Sequence, residues 1–476
     1  MGKEIIFGTD GWRGLIDSEV NQETTAAAAQ AFADYLANRE GNKPIKCAVG
    51  YDGRKYSKEF AFIFAEVLSG NGIEVDISNS VIPTPVLSFY VKAKMFSAGA
   101  MITASHNPKE YNGIKFKNFY GGPFLTEETI KVEAHLNKSI IKTSRTNVYE
   151  KNFLPLYFDQ LEKYIDFNLI SGAGLNVLID SMAGAGQLVI ETILKKHKIN
   201  CKTIYEIAQP DFAGRMAEPI ENNLMPLSKE LQNGNYSLGI ATDGDADRCG
   251  LMLDDGKWLS AQETILLLAD YIVNVKNISG ALVKTSSVTD KLSTHFKTAT
   301  RDVFDVQVGF KYICEKMISE DIAFGAEESG GFGYKDHIPE RDGILSGLIF
   351  CEMLAAHGVK KLSEYLNQKR KQFGNIFYKR LDIHYNKPDR SKILPQLFLN
   401  PPTAIAKFNL HKIKAYYSSR GIINGIKFTL GENNRWLLIR SSETEPLIRI
   451  YAEGESDSDV KNFLEAATSF FSSRSI

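Results

Sequence analysis

Residues 237–255 read SLGIATDGDADRCGLMLDD. A short apolar run, SLGIAT, feeds a loop in which Asp243, Asp245 and Asp247 alternate, and a second apolar run, CGLMLDD, leads away. Short apolar segments bounded by turn residues read as buried strands. Strands on both sides argue against a calcium-binding helix–loop–helix, and Arg248 stands where that motif places its turn glycine. In an irregular loop the alternation turns three carboxylates toward one point. Hard oxygens suit Mg²⁺ or Ca²⁺. Three such charges repel one another unless a cation sits among them, which weighs against a merely exposed acidic turn.

The same strand-into-loop plan recurs outward from this segment. AGAMITA leads to Ser105-His106-Asn107-Pro108, and DIAFGA leads to Glu327-Glu328-Ser329-Gly330-Gly331. Further upstream in each repeat lie KCAVGYDGRKYS, NVLIDSMAGAG and ALVKTSSVTD, again apolar runs ending in Gly, Asp, Ser or Lys. Amphipathic helical patterns follow, as in KEFAFIFAEVLSG and QLVIETILKKHK. The chain therefore reads as three consecutive α/β blocks, 1–149, 150–255 and 256–372, with Asp254-Asp255-Gly256 as a hairpin turn. From 373 to 476 alternating segments and the closing amphipathic stretch DSDVKNFLEAATSFFSS predict an α+β block. In α/β sheets ligands bind beyond the carboxyl ends of strands, so the three loops are where chemistry is sought.

Composition sets outer limits. The 476 residues are 43% hydrophobic and 24% charged, ordinary globular values for about three or four domains. A net charge of −1 gives no ground for binding nucleic acid or an anionic membrane. Five cysteines, with no CxxC pair, fit reduced thiols and a cytoplasmic setting. The apolar run GILSGLIFCEMLAA is interrupted by Glu352 and is too short to span a bilayer. No membrane association is expected.

Each remaining loop is ambiguous when taken alone. Ser105 beside His106 suggests a hydrolase dyad, but adjacent residues seldom face each other and no GxSxG elbow is present. A serine that carries a phosphoryl group needs only an exposed hydroxyl, a nearby cation and donors. A capping Ser in an Asn-Pro turn is the bland alternative. Glu327 and Ser329 offer acceptors and donors suited to sugar hydroxyls, although acidic Gly-containing turns are common. Arg440-Ser441-Ser442-Glu443-Thr444-Glu445-Pro446, with Arg449 beyond, combines an arginine fork with hydroxyls and suits a dianion as well as it suits a solvated turn. Arg13, in FGTDGWRG, and Lys115, in EYNGIKFK, are candidates to neutralise a transferring phosphoryl group. Lys115 becomes a proton carrier if its pKa is lowered.

Taken together, TASHNP, DGDADR, AEESGG and RSSETEP, in this order in four successive blocks, resemble the α-D-phosphohexomutases, a family that includes phosphoglucomutases, phosphomannomutases and phosphoglucosamine mutases. FGTDGWRG and VGYDGR are similar to that family's opening segments, so the resemblance covers nearly the whole chain. It implies three α/β domains of shared topology and a C-terminal TATA-binding-protein-like α+β domain around a central cleft. It implies Ser105 as phosphoserine, and one Mg²⁺ per chain held by Asp243, Asp245, Asp247 and a phosphoserine oxygen. Arg13, His106, Lys115 and Arg248 would line the reacting centre. Lys284, Glu327, Ser329, Arg440, Ser442, Thr444 and Arg449 would bind substrate. The implied activity interconverts hexose 1-phosphate and hexose 6-phosphate through a bisphosphate, which also serves as activator. Glucose phosphate is expected first and mannose phosphate next; glucosamine or pentose phosphates, or a Mg²⁺-dependent sugar-phosphate phosphatase, are the alternatives. The partner is a small sugar phosphate, and the chain a monomer or homodimer. Three positions depart from the family pattern: Phe310 and Gly331 stand where many members have histidine, and Glu443 where Gly or Asn is usual.

Overall fold

Apolar runs that end in polar loops become central strands. The computed structural model describes residues 5–8, 10–385, 390–418, 421–432, 434–441 and 447–472, which fall into two compact units. The larger comprises Met1–Ala281 and Gly309–Gln368, the smaller Leu282–Val308 and Lys369–Ile476.

The larger unit opens with a six-stranded sheet of β1 (Trp12–Leu15), β2 (Lys46–Tyr51), β3 (Glu74–Ser78), β4 (Ala98–Ile102), β5 (Tyr111–Asn118) and β6 (Val148–Lys151), in the order β1-β5-β4-β2-β3-β6. Helices α1 (Gln22–Glu40), α2 (Ser57–Gly70), α3 (Thr84–Ala93) and α4 (Thr126–Glu133) accompany it. β2, β3, β4 and β6 run parallel, whereas β1 and β5 are antiparallel additions. Asn21 caps α1 in a reciprocal box with Thr24. Phe32 of α1 stacks on Phe116 of β5 with ring centroids 4.2 Å apart, and Phe64 and Phe124 close around them. This core anchors the strand that carries Lys115, and Phe32→Ala would cost ~3–5 kcal/mol.

A second sheet follows helices α5 (Leu154–Tyr164) and α6 (Phe167–Ala173). Its strands are β7 (Asn176–Asp180), β8 (Asn200–Ile204), β9 (Leu238–Thr242), β10 (Cys249–Leu253) and β11 (Trp258–Leu259), ordered β11-β10-β9-β7-β8, with α7 (Val189–Lys196) and α8 (Met225–Asn233) between them. The aspartate loop is thus the β9–β10 turn, strand on both sides. The turn expected at Asp254–Gly256 closes with Leu253 N–H on the Lys257 carbonyl at 2.8 Å. The first sheet runs through Lys151 and the second through Leu259, a few residues past the breaks at 149 and 255, because β6 and β11 each add to the sheet before them.

After α9 (Ala261–Asp270), β12 (Ala281–Thr285), α10 (Lys291–Phe296) and β13 (Val303–Val306), the chain forms α11 (Phe310–Ser319) and an antiparallel pair, β14 (Ile322–Glu327) and β15 (Gly331–Tyr334). α12 (Gly343–Ala356) is the apolar run GILSGLIFCEMLAA, and it is buried along nearly its whole length. Asp342 caps it by accepting from Leu345 N–H, and Glu352 within it pairs with Lys276 at 2.7 Å. No described helix is long and apolar enough to cross a membrane. α13 (Leu362–Phe373) completes this stretch.

In the smaller unit β12 and β13 pair in parallel. β16 (Phe377–His384), β17 (Ala404–Ile405), β18 (Phe408–Tyr417), β19 (Ile423–Leu430), β20 (Trp436–Ser441) and β21 (Leu447–Gly454) form an antiparallel sheet ordered β16-β21-β20-β19-β18-β17, with α14 (Arg390–Leu399) and α15 (Asp457–Ser472). Three α/β blocks followed by an α+β block is the architecture expected from the repeat of strand and loop. The five cysteines are all free.

Candidate active site

The loops after β4, β9 and β14 all lie in the larger unit, and their side chains meet. Ser105 is buried with φ 53°, a left-handed conformation uncommon for a non-glycine residue. Its Oγ donates to Asp243 Oδ2 at 3.1 Å. His106 is not its partner, so no Ser-His dyad exists. Gly244 makes the approach possible, since a Cβ there would collide with the Ser105 carbonyl oxygen.

Asp243, Asp245 and Asp247 are completely buried, and one oxygen from each lies within 4.8 Å of the others. Asp243 Oδ1 accepts from Arg248 N–H at 3.0 Å. Asp245 Oδ2 accepts from Thr84 Oγ1 at 2.6 Å and from Lys115 Nζ at 2.7 Å. Asp247 Oδ2 faces Lys115 Nζ at 2.8 Å and Arg341 Nη2 at 2.7 Å. Asp245 Oδ1 and Asp247 Oδ1 are buried with no hydrogen-bond partner among the described residues. Burial, together with the charges of Asp247 and Asp245, pushes the Asp243 carboxyl well above the carboxylate range. Orphaned buried carboxylate oxygens are costly. A set of hard oxygens with unused lone pairs fits a divalent cation such as Mg²⁺.

Cationic side chains surround this cluster. Lys115, on β5, lies 3.0 Å from Asp10 as well as beside Asp245 and Asp247. Burial alone would lower its pKa, but these three carboxylates hold it above the usual lysine value. The lowered pKa that proton exchange at Lys115 requires is therefore absent here: this ammonium is held charged. His106 goes the other way. Burial and the charges of Arg248, Arg13, Lys115 and Arg341 depress its pKa well below the ordinary histidine value, and its Nδ1 is buried without a hydrogen-bond partner among the described residues. Arg13 donates to Asn107 Oδ1 at 2.6 Å and pairs with Asp10 at 3.2 Å. Arg248 reaches Glu218 at 3.4 Å.

Glu327 and Ser329 join through Arg341. Ser329 Oγ donates to Glu327 Oε1 at 2.9 Å, and Arg341 Nη1 reaches the same oxygen at 3.2 Å. Arg341 also pairs with Asp10 at 2.5 Å, and its guanidinium lies 5.6 Å from the centre of the Phe310 ring. A Cβ at Gly331 would strike Arg341 Cδ. Of the three positions that depart from the family pattern, Gly331 leaves the space this arginine occupies and Phe310 lies against its guanidinium. Sequence reasoning missed Arg341, Asp10, Thr84 and Arg54. Asp10 and Arg54 lie inside FGTDGWRG and VGYDGR, and Arg341 ends the polar stretch HIPER before the buried α12, which is the signal that was available.

The other expected substrate-binding residues lie in the smaller unit. Arg440 on β20 and Arg449 on β21 face each other in antiparallel register, and Arg449 Nε is 3.5 Å from Asp382. Ser442, Glu443 and Thr444 lie outside the described residues. Lys284 is 1% exposed, and its Nζ is engaged by Asp290 at 2.8 Å, Asp305 at 3.2 Å and the Val288 carbonyl at 3.0 Å. In this structure its ammonium is enclosed in a buried ionic network rather than open to a ligand.

Comparisons with known proteins agree along the length of the chain. Models of the phosphoglucomutase/phosphomannomutase α/β/α domains I, II and III match residues 4–141, 155–256 and 260–373, and the C-terminal domain model matches 402–469. A phosphoglucomutase/phosphomannomutase of Thermococcus kodakarensis is 28% identical over 471 residues, covering 98% of this chain and 97% of that one. A phosphoglucosamine mutase of Caldicellulosiruptor bescii is 30% identical over 484 residues, covering 100% of both. The crystal structure of a protein assigned as a phosphomannomutase from Thermus thermophilus superposes with a TM-score of 0.86 at 32% identity, covering 99% of this chain and 100% of that one.

Proposed function

Because the chain belongs to the α-D-phosphohexomutase family, a family of isomerases, we propose that it interconverts glucose 1-phosphate and glucose 6-phosphate with Ser105 as the phosphoryl carrier. The observation that supports this most is Ser105 Oγ lying 3.1 Å from a buried aspartate cluster that has two carboxylate oxygens unused. A serine placed there is not paired with a histidine as in a hydrolytic dyad; its Oγ donates to Asp243 instead. It is well placed as a phosphate ester among compensating charges.

In the forward half-reaction the Ser105 Oγ–P bond breaks and a bond forms between phosphorus and the free hydroxyl of the hexose monophosphate. The hydroxyl's proton ends on Ser105 Oγ as the phosphoryl group leaves it, which balances the step; His106, held uncharged, lines the centre. Lys115 and Arg341, held charged, stabilise the transferring oxygens electrostatically, with Arg13 and Arg248 at the flank. Asp243, Asp245 and Asp247 would hold Mg²⁺, which supplies further neutralisation of phosphoryl charge. The hexose bisphosphate then turns end for end, and its other phosphate returns to Ser105. Glu327 and Ser329 grip sugar hydroxyls in both orientations. Arg440, Ser442, Thr444 and Arg449 hold the phosphate that is not reacting. The same bisphosphate, supplied in trace, would charge Ser105 initially.

Relatives named phosphoglucosamine mutase favour a second reading, in which the sugar is glucosamine phosphate. One panel separates the two. Purified protein is assayed with glucose, mannose and glucosamine 1-phosphates, Mg²⁺ and trace bisphosphate, beside Ser105→Ala. The expected result is the highest kcat/KM with glucose 1-phosphate and loss of all isomerisation in the variant. A higher value with glucosamine phosphate overturns the sugar assignment. Release of inorganic phosphate without isomer supports a phosphatase and overturns the mutase.

A further inference from the structure

Beneath the Ser105 loop lies a guanidinium that the mechanism above does not use. Arg54, just after β2, is 3% exposed. Its Nη2 donates to the carbonyls of Ser105 and Asn107, each at 2.6 Å, and its Nη1 to those of Pro108 at 2.8 Å and Tyr111 at 3.0 Å. Nε lies 3.3 Å from Asp52 Oδ2. Asp52 in turn accepts from Thr103 Oγ1 at 2.6 Å, and Thr103 Oγ1 accepts from Ser105 N–H at 2.9 Å. The loop is thus held at both its amide and its carbonyl side by one ion pair.

The second α/β block closes the other face. The Phe212 ring lies 4.7 Å from the Arg54 guanidinium. Phe212, Ala213 and Gly214 take φ of 54°, 55° and 77°, a left-handed turn that costs ~1–2 kcal/mol per non-glycine residue. Ser105 itself carries the same strain at φ 53°. Such conformations persist only where the surroundings over-determine them. Both strained segments converge on Arg54.

We propose that Arg54, faced by Phe212, is a positioning residue for phosphoryl transfer: its planar fork holds the Ser105 loop in the left-handed conformation that presents Oγ to the aspartate cluster. The proposal rests on the mutase reading for its kinetic consequence, not for its structural one. Only arginine offers a rigid planar fork that serves four carbonyls and an anion together; lysine keeps the charge and loses the geometry.

The test uses the full chain with Mg²⁺. Arg54→Lys is expected to lower kcat roughly 100-fold, the scale of a small misplacement of a reacting group, while KM stays within about twofold. Amide hydrogen exchange across residues 103–111 is expected to accelerate about tenfold or more. Phe212→Leu, which leaves every polar contact in place, is expected to show the same pattern more weakly, and it decides the matter where Arg54→Lys fails to fold. Folded variants with wild-type kcat, or with unchanged exchange at 103–111, overturn the proposal. Exchange requires no turnover. If the wild type does not isomerise hexose phosphates, the mutase reading fails while the exchange result still decides whether Arg54 holds the loop.

Discussion

Two ionic clusters, one in each unit, contain similar residues but differ: the first is built on fully buried aspartates, the second on aspartates that are partly exposed. In the larger unit Asp10, Asp243, Asp245 and Asp247 face Lys115 and Arg341, and two aspartate oxygens are left over. In the smaller unit Asp290 and Asp305 face Lys284 and Lys427, with Asp290 Oδ1 at 2.8 Å from both ammonium groups. Tyr416 OH and Lys414 complete Asp305 at 2.6 and 3.0 Å. Glu453 beside them accepts from Thr289 Oγ1 at 2.7 Å and Trp436 Nε1 at 2.9 Å. No oxygen of these acids is both buried and without a hydrogen-bond partner among the described residues, and the Asp290 and Asp305 side chains are partly open to solvent. The comparison teaches that buried charge alone does not mark a site. Unused lone pairs do: a closed network stabilises a fold, and an open one waits for a ligand.

The largest expected effect separates the clusters by activity. Asp243→Asn removes one ligand oxygen's charge and is expected to cut kcat at least ~1000-fold, the scale of losing a charge-stabilising group, and to abolish any rise in melting temperature on adding Mg²⁺. Asp290→Asn is expected to do the reverse. It leaves Lys284 and Lys427 under-compensated and lowers stability by ~3–5 kcal/mol, while the Mg²⁺ response is kept. Denaturant unfolding with and without Mg²⁺ checks both, and a metal response lost in Asp290→Asn rather than in Asp243→Asn would invert the comparison.

Smaller effects sharpen it. Burial raises the Glu453 carboxyl to about 7, well above its unfolded value. The folded state therefore binds the proton more tightly than the unfolded chain. The stability this contributes is fully present below the unfolded pKa and is lost as pH rises through about 7, by up to ~3 kcal/mol. Glu453→Gln is expected to flatten the fall in melting temperature between about pH 5 and pH 8. An unchanged slope in the variant would place the pH dependence elsewhere. Last, Arg341→Lys keeps a charge near Asp10, Asp247 and Glu327 but loses the fork that joins them. About a tenfold loss in kcat/KM is expected, read in the same assay; wild-type kinetics would show the fork to be dispensable.

How much was legible in the sequence follows from the range of each signal. The α/β order was written in apolar runs ending in polar loops, and the aspartate cluster was written in a spacing that needs no tertiary information. Arg341 was not legible, because its partner Asp10 is 331 positions away and only the folded chain brings them together. Which of the two roles open to Lys115 applies was not legible for the same reason: a lone lysine on a strand gives no hint that three carboxylates will hold it charged. Lys284 is a candidate only through the family resemblance, and nothing local announces that its ammonium lies between Asp290 and Asp305, one near in sequence and one brought by the parallel pairing of β12 and β13.

The central claim is that a phosphoryl group on Ser105 sits beside a cation held by Asp243, Asp245 and Asp247. Crystals of protein charged with hexose bisphosphate and soaked in Mn²⁺, a Mg²⁺ stand-in with an anomalous signal, test it directly. The expected result is one anomalous peak at coordinating distance, roughly 2.1 Å, from an oxygen of each aspartate and from an oxygen of phosphoserine 105. A peak away from these carboxylates, or an unmodified Ser105 with phosphate on another residue, would contradict it.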